Sequence, residues 1–232
     1  MHQHNDPQYS DSYYIIRVGA TTKIRRKWWR KNFFGVIPNG GVMDVQLKIG
    51  TFPQICIAME RFVIRKAGRA DADAIGSLHA ASWRVAYRGL LSDNYLDNDL
   101  DGERRKYWKG KMPVLTSREF VLVAETDHYV IGFISVLDIP EVGYAALVDN
   151  LHVRPDLRGN GLGKALMRAA AERLIDSGRT NYYLWVLNGN SPAEKFYRSL
   201  SGVPADEKSS EFGGKTVKAT RFVWDNFNRV LA

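Results

Sequence analysis

Along this 232-residue chain the spacing of apolar positions changes near Met59. Before it, aromatic, basic, Gly and Pro residues mix without a steady period. Beyond it, short apolar runs exchange with helical repeats. Phe62-Val63-Ile64 predicts a strand that stops by Gly68. Asp71 or Asp73 then caps a helix through Trp83, with Ile75, Leu78 and Ser82 on one face. A Trp/Tyr-rich stretch holding Trp83, Tyr87 and Tyr95 leads to a charged helix over 102–109. The β-rich runs 120–124 and 130–136 predict a hairpin, and 144–153 a further strand with a polar centre. Leu162, Leu166, Ala169, Ala170 and Leu174 recur at helical spacing, predicting a helix over 161–177 stopped by Gly178. Residues 182–187 follow as a strand. Ser191-Pro192-Ala193-Glu194 has the form of a capping box with Pro at the first helical position. Its helix carries Ala193, Phe196, Tyr197 and Leu200 on one face and ends at Gly202; 216–224 is the last strand. The order β-α-α-β-β-β-α-β-α-β predicts an α/β chain with a mixed sheet and helices on both faces.

Composition narrows the picture. At 45% hydrophobic the chain has enough apolar material for a core, which excludes wholesale disorder. No apolar run reaches the ~18 residues of a membrane span, and Met1–Asp6 has no secretory pattern. Cys56 is the single cysteine, so neither an internal disulfide nor a thiolate metal cluster is expected, and a cytoplasmic location fits. The net charge of +8 is uneven. Residues 1–58 hold eight Lys/Arg against three Asp/Glu, a net +5 concentrated around Arg25–Lys31, while the remainder is nearly balanced. A nucleic-acid or membrane partner for the body of the chain is therefore not expected. The pattern break predicts a domain over 59–232, with Met59 a natural start and 1–58 an extension outside it.

The informative stretch is Val153-Arg154-Pro155-Asp156-Leu157-Arg158-Gly159-Asn160-Gly161-Leu162-Gly163-Lys164. It leaves a strand, turns through three glycines and enters a helix. Successive backbone N–H groups in such a turn point into one concavity, and the helix N-terminus adds about half a positive charge. Together they suit a diphosphate, with Arg158 and Lys164 adding charge at either end. A Walker A loop is excluded because Ala165 follows Lys164. A dinucleotide fingerprint is excluded because Lys164 stands where Gly or Ala is required.

Arg158-Gly159-Asn160-Gly161-Leu162-Gly163 resembles the Gln/Arg-x-x-Gly-x-Gly/Ala signature of the GCN5-related N-acetyltransferases (GNAT). Asn190 to Leu200, with the skeleton Asn-x-x-Ala-x-x-Phe-Tyr-x-x-Leu, is similar to that family's second motif, and the likeness covers about residues 60–225. The resemblance implies a mostly antiparallel sheet of six to seven strands whose two central strands splay apart. Acetyl-CoA would enter that opening as co-substrate, without a metal. The backbones around Leu151, His152 and Val153 would bond the pantetheine arm. Arg158, Gly159, Asn160, Gly161, Leu162, Gly163 and Lys164 would hold the diphosphate, and the Asn190 amide would bond the pantetheine. Tyr197 would face the sulfur as general acid, and the Val153 N–H would serve the oxyanion. Trp83, Tyr87 and Asn150 would line the site of a small-molecule or peptide amine acceptor. A homodimer is compatible with the family.

The general base is less legible. Many members carry glutamate where this chain has Leu147 or Trp185. Asp149 is the nearest carboxylate, acting directly or through water; His79 and His152 are alternatives near neutral pKa. Without a strand glutamate, a non-catalytic acyl-CoA sensor remains the rival function. Nucleic-acid binding through the basic leader is another.

Overall fold

A computed structural model of the chain describes residues 14–16, 62–98, 100–127, 129–141, 143–212 and 215–231. The expectations on Met59, on the basic run 25–31 and on most of the leader lie outside these residues.

Eight described strands form one sheet: β1 (Tyr14–Ile16), β2 (Phe62–Lys66), β3 (Phe120–Thr126), β4 (Tyr129–Leu137), β5 (Leu147–Val153), β6 (Tyr182–Leu187), β7 (Val203–Phe212) and β8 (Lys215–Trp224). Their spatial order is β1-β2-β3-β4-β5-β6-β8-β7. Every neighbouring pair is antiparallel except β5 and β6, which are parallel. Seven strands thus lie between residues 62 and 224, the mixed and mostly antiparallel sheet the resemblance implied. Tyr14–Ile16 adds an eighth at the β2 edge.

The helices are α1 (Ala72–Ala86), α2 (Asp93–Asp97), α3 (Leu100–Lys111), α4 (Leu162–Asp176), α5 (Ser191–Ser199) and α6 (Asn228–Leu231). α1 and α3 cover one face. Ile75, Leu78 and Trp108 pack there against Val121, Val123 and Phe133, alternate residues of β3 and β4 that share a side of the pleat. α4 covers the other face, where its Leu162 and Leu166 sit over Gly132. It stops as expected: Gly178, at φ +75°, donates to Ile175 O.

Three sequence expectations shift. The strand placed over 144–153 begins only at Leu147, because Glu141 and Tyr144 bridge each other in a turn. The cap of α5 is Asn190 rather than Ser191: the Asn190 side chain accepts from Ala193 N, and Pro192 lies in the first turn. The long strand β7 and the short helix α2, capped by Ser92, carry no apolar period and were not expected.

Gly202 closes the helix-to-strand turn under Trp224. A Cβ there would lie 2.4 Å from Trp224 Cζ2. The ring cannot yield, since it stacks on Tyr182 at 4.7 Å between centroids and its Nε1 donates to Leu200 O at 2.9 Å. Gly202→Ala is expected to destabilise the protein by about 1–3 kcal/mol, the range of overpacked cores. Urea denaturation checks it, and an unchanged midpoint would show that Trp224 is free to move.

Candidate active site

β5 and β6 are in register at one point only, Leu147 with Tyr183. Beyond it they part, and the facing edges of Val148–Val153 and Leu184–Val186 line a cavity of about 570 Å³. A bulge in β5 accompanies the parting. Ser135 pairs with Asn150 and Val136 with Val148, which leaves Asp149 as the extra residue. Asp149 therefore stands at the cavity wall without a cross-strand partner.

At one end of the cavity the chain turns from Val153 into α4. Gly159 and Gly161 have φ of +82° and +79°, left-handed backbone that L side chains adopt only under strain. Space around both is open, so conformation rather than crowding requires glycine there. Gly163 differs. A Cβ there would meet the Phe196 ring at 3.2 Å, so this glycine lets α5 approach α4. The first helical bond runs from Ala165 N–H to Gly161 O, which leaves the N–H groups of residues 162–164 outside the ladder and facing the turn. Asn160 does not line the cavity; its side-chain amide donates to Leu157 O and braces the turn from outside.

α1, α5 and β6 supply the remaining wall. Trp83, Tyr87, Asn150, Trp185, Asn190 and Tyr197 all border the cavity, as do Leu151, His152, Val153, Arg158 and Lys164. Asn160 and His79 apart, the residues singled out from the sequence thus converge on one space. The Asn190 side-chain oxygen is occupied by the helix cap, so only its NH2 faces outward. Tyr197 is 9% exposed and packs edge-on to Trp224. Burial, then the nearby Tyr87 phenol, holds its pKa well above the ordinary tyrosine value. Burial likewise pushes Tyr87 up to about 12, against the opposing Arg158 charge.

Asp149 touches solvent at the cavity mouth but is enclosed by protein at longer range. That desolvation raises its pKa, against the pull of Lys111, Lys208 and Arg104. Asn150 donates to its carboxylate. Trp185 stands where a glutamate is common in the resembled family, with the Lys208 ammonium 4.0 Å from its ring centroid. His79 does not reach the cavity. It is 1% exposed, and burial, then His152 and Arg104, drives its pKa far down. Three features escaped the sequence reading: Ser82 on the cavity wall, the inward turn of Arg158, and the bulge at Asp149. Only Ser82 left a trace, as a polar residue on an otherwise apolar helix face.

Residues 80–202 match the model of the acetyltransferase (GNAT) family. The chain belongs to this family. The GNAT assignment makes it an acyltransferase and matches relatives aligned along most of their length. It is 27% identical to the uncharacterised N-acetyltransferase YuaI of Bacillus subtilis over 71% of this chain and 94% of that one. It is 26% identical to the spermidine N(1)-acetyltransferase of Thermoplasma acidophilum, over 64% and 92% of the two chains. Among solved structures, the PaiA N-acetyltransferase of T. acidophilum in complex with coenzyme A shares the fold. Its TM-score is 0.55 at 22% identity, covering 68% of this chain and 97% of that one. The GNAT fold accounts for the single-point pairing of β5 and β6 and for the glycine turn ahead of α4.

Proposed function

We propose that this GNAT protein transfers the acetyl group of acetyl-CoA to a primary amine by direct attack of the neutral amine on the thioester. The observation that carries the reading is the cavity between the parted strands. A glycine-rich turn and a helix N-terminus stand at one end, and a buried phenol stands on the wall. The unladdered N–H groups of the Gly159–Lys164 turn are suited to the diphosphate, with Lys164 as counter-charge. Leu151 and Val153 offer backbone groups to the pantetheine arm on a strand edge that none of the described strands pairs with. The Asn190 NH2 supplies one further donor.

The chain's own residues divide the proton traffic. Tyr197, held above its ordinary pKa, keeps its proton through neutral pH and faces the space a leaving thiolate would enter. The apolar wall that raises the phenol makes a thiolate there more basic too, so donation is not uphill by the full shift. Asp149, raised by desolvation, is a stronger base than a surface carboxylate. From the bulge it would take the amine proton, directly or through water. Trp83, Tyr87 and Asn150 bound the acceptor space.

The test is calorimetry of the full-length chain with CoA, followed by thiol release from acetyl-CoA over a panel of amines: spermidine, amino acids, peptides and aminoglycoside-like bases. Binding with thiol release for at least one amine is expected. Absence of CoA binding overturns the reading. Binding without release over the whole panel leaves an acyl-CoA sensor instead.

A further inference from the structure

A polar chain crosses the apolar layer between α1 and the sheet and ends at the glycine turn. Trp108 Nε1 on α3 donates to His79 Nδ1 at 3.0 Å. The His79 ring stacks on His152 of β5, centroids 4.5 Å apart and planes 29° from parallel. His152 Nδ1 lies 2.9 Å from Ser82 Oγ, and Ser82 Oγ lies 2.9 Å from Arg158 Nη2. A second contact joins Arg158 Nη2 to Ser82 O at 3.4 Å.

Proton directions follow from the donor inventory. Arginine only donates, so the Ser82 oxygen accepts from Arg158. Ser82 is 1% exposed, and among the described residues its hydroxyl proton has no acceptor other than His152 Nδ1. The buried serine therefore accepts from the cation on one side and donates to a neutral imidazole on the other. That one hydroxyl bonds both Arg158 Nη2 and His152 Nδ1.

Arg158 opens the Arg158–Lys164 turn, and although the residue is exposed its Nη2 reaches back to Ser82 in the last two turns of α1. We propose that Ser82 is a positioning residue for cofactor binding: it clamps Arg158 against α1 and so holds the glycine turn in its phosphate-receiving shape before the ligand arrives. The inference rests on the reading of that turn as the diphosphate site. In this role the serine acts through Arg158 and not on the acyl group or the amine. Loss of the clamp leaves Arg158 only the longer contact to Ser82 O and takes the hydroxyl from half-buried His152, and the turn must then be ordered by the ligand itself.

Acetyl-CoA and acetyl-pantetheine, which lacks the diphosphate, separate this role from a general one. In Ser82→Ala, kcat/KM for acetyl-CoA is expected to fall roughly tenfold through KM with kcat nearly kept. The constant for acetyl-pantetheine is expected to stay within about twofold. Ser82→Thr, which keeps the hydroxyl, restores the acetyl-CoA value. Urea midpoints confirm that each variant is folded at the assay temperature. Equal losses for both donors, or no loss for either, overturn the proposal while leaving acetyl transfer intact. Failure of the wild-type chain to bind CoA removes the reading beneath it instead.

Discussion

Tyr197→Phe is expected to lower kcat by about 10²–10⁴ while leaving CoA affinity within about twofold. The change removes one oxygen from a ring whose packing it leaves alone. Tyr197 is held by Phe196, Phe222 and Trp224, and phenylalanine fills the same space. No side-chain hydrogen bond of Tyr197 is among those of the described residues, so the fold loses no bonded partner when the hydroxyl goes. The loss should therefore appear in turnover and not in stability. Its hallmark is selectivity for the leaving group: an acetyl thioester of an acidic aryl thiol, which leaves without protonation, should be far less sensitive to the substitution than acetyl-CoA. Steady-state kinetics on the two donors decide it, and equal turnover of wild type and variant with acetyl-CoA removes Tyr197 from the mechanism.

Acid is expected to destabilise this protein through its histidine pair. Burial, aided by Arg158, lowers His152 to about 3, and His79 lies lower still for the same first reason. Both folded pKa values sit below the ordinary ~6.5 of an unfolded histidine. Below that value the unfolded chain binds protons the native protein refuses. The stability these neutral rings contribute is therefore whole above about pH 6.5 and drains as pH falls toward 3. Each ring costs at most about 1.4 kcal/mol per pH unit, so the pair costs up to about 3. The raised Asp149 carboxyl works the other way, but it is one group against two. Unfolding free energies from urea at about pH 7.5 and about pH 5.5 should differ by roughly 2–3 kcal/mol. His79→Gln, whose amide oxygen still accepts from Trp108, should roughly halve the slope. A flat profile between the two pH values would mean that the rings are hydrated.

Where side chains alternate or repeat against a buried face, the sequence and the structure agree closely. The strand over 182–187 matches residue for residue, and the helix over 161–177 to within a residue at each end, because the strand is an apolar run buried on both faces and the helix buries one continuous apolar side. β7 escaped because Val-Pro-Ala-Asp-Glu-Lys-Ser-Ser-Glu-Phe is an edge strand open to water, whose pairing to β8 is set by backbone rather than by apolar burial. The α5 cap moved to Asn190 because Asn and Ser both cap well, and only the chain direction at Leu187 decides between them. The glycine turn was legible because positive φ leaves a residue-type record. The clamp at Ser82 was not, since residues 82, 152 and 158 meet only through the fold.

The single point of contact between β5 and β6 has a mechanical consequence. It divides the sheet into two plates, β1 to β5 and β6 to β8, bonded at one corner and held elsewhere by the helices that cross behind them. Backbone donors and acceptors along the open margin already look for partners in the free protein, so no hydrogen bonds between strands need break when a guest slides in. Such a guest acts as mortar, and the architecture that admits it grows stiffer for being filled.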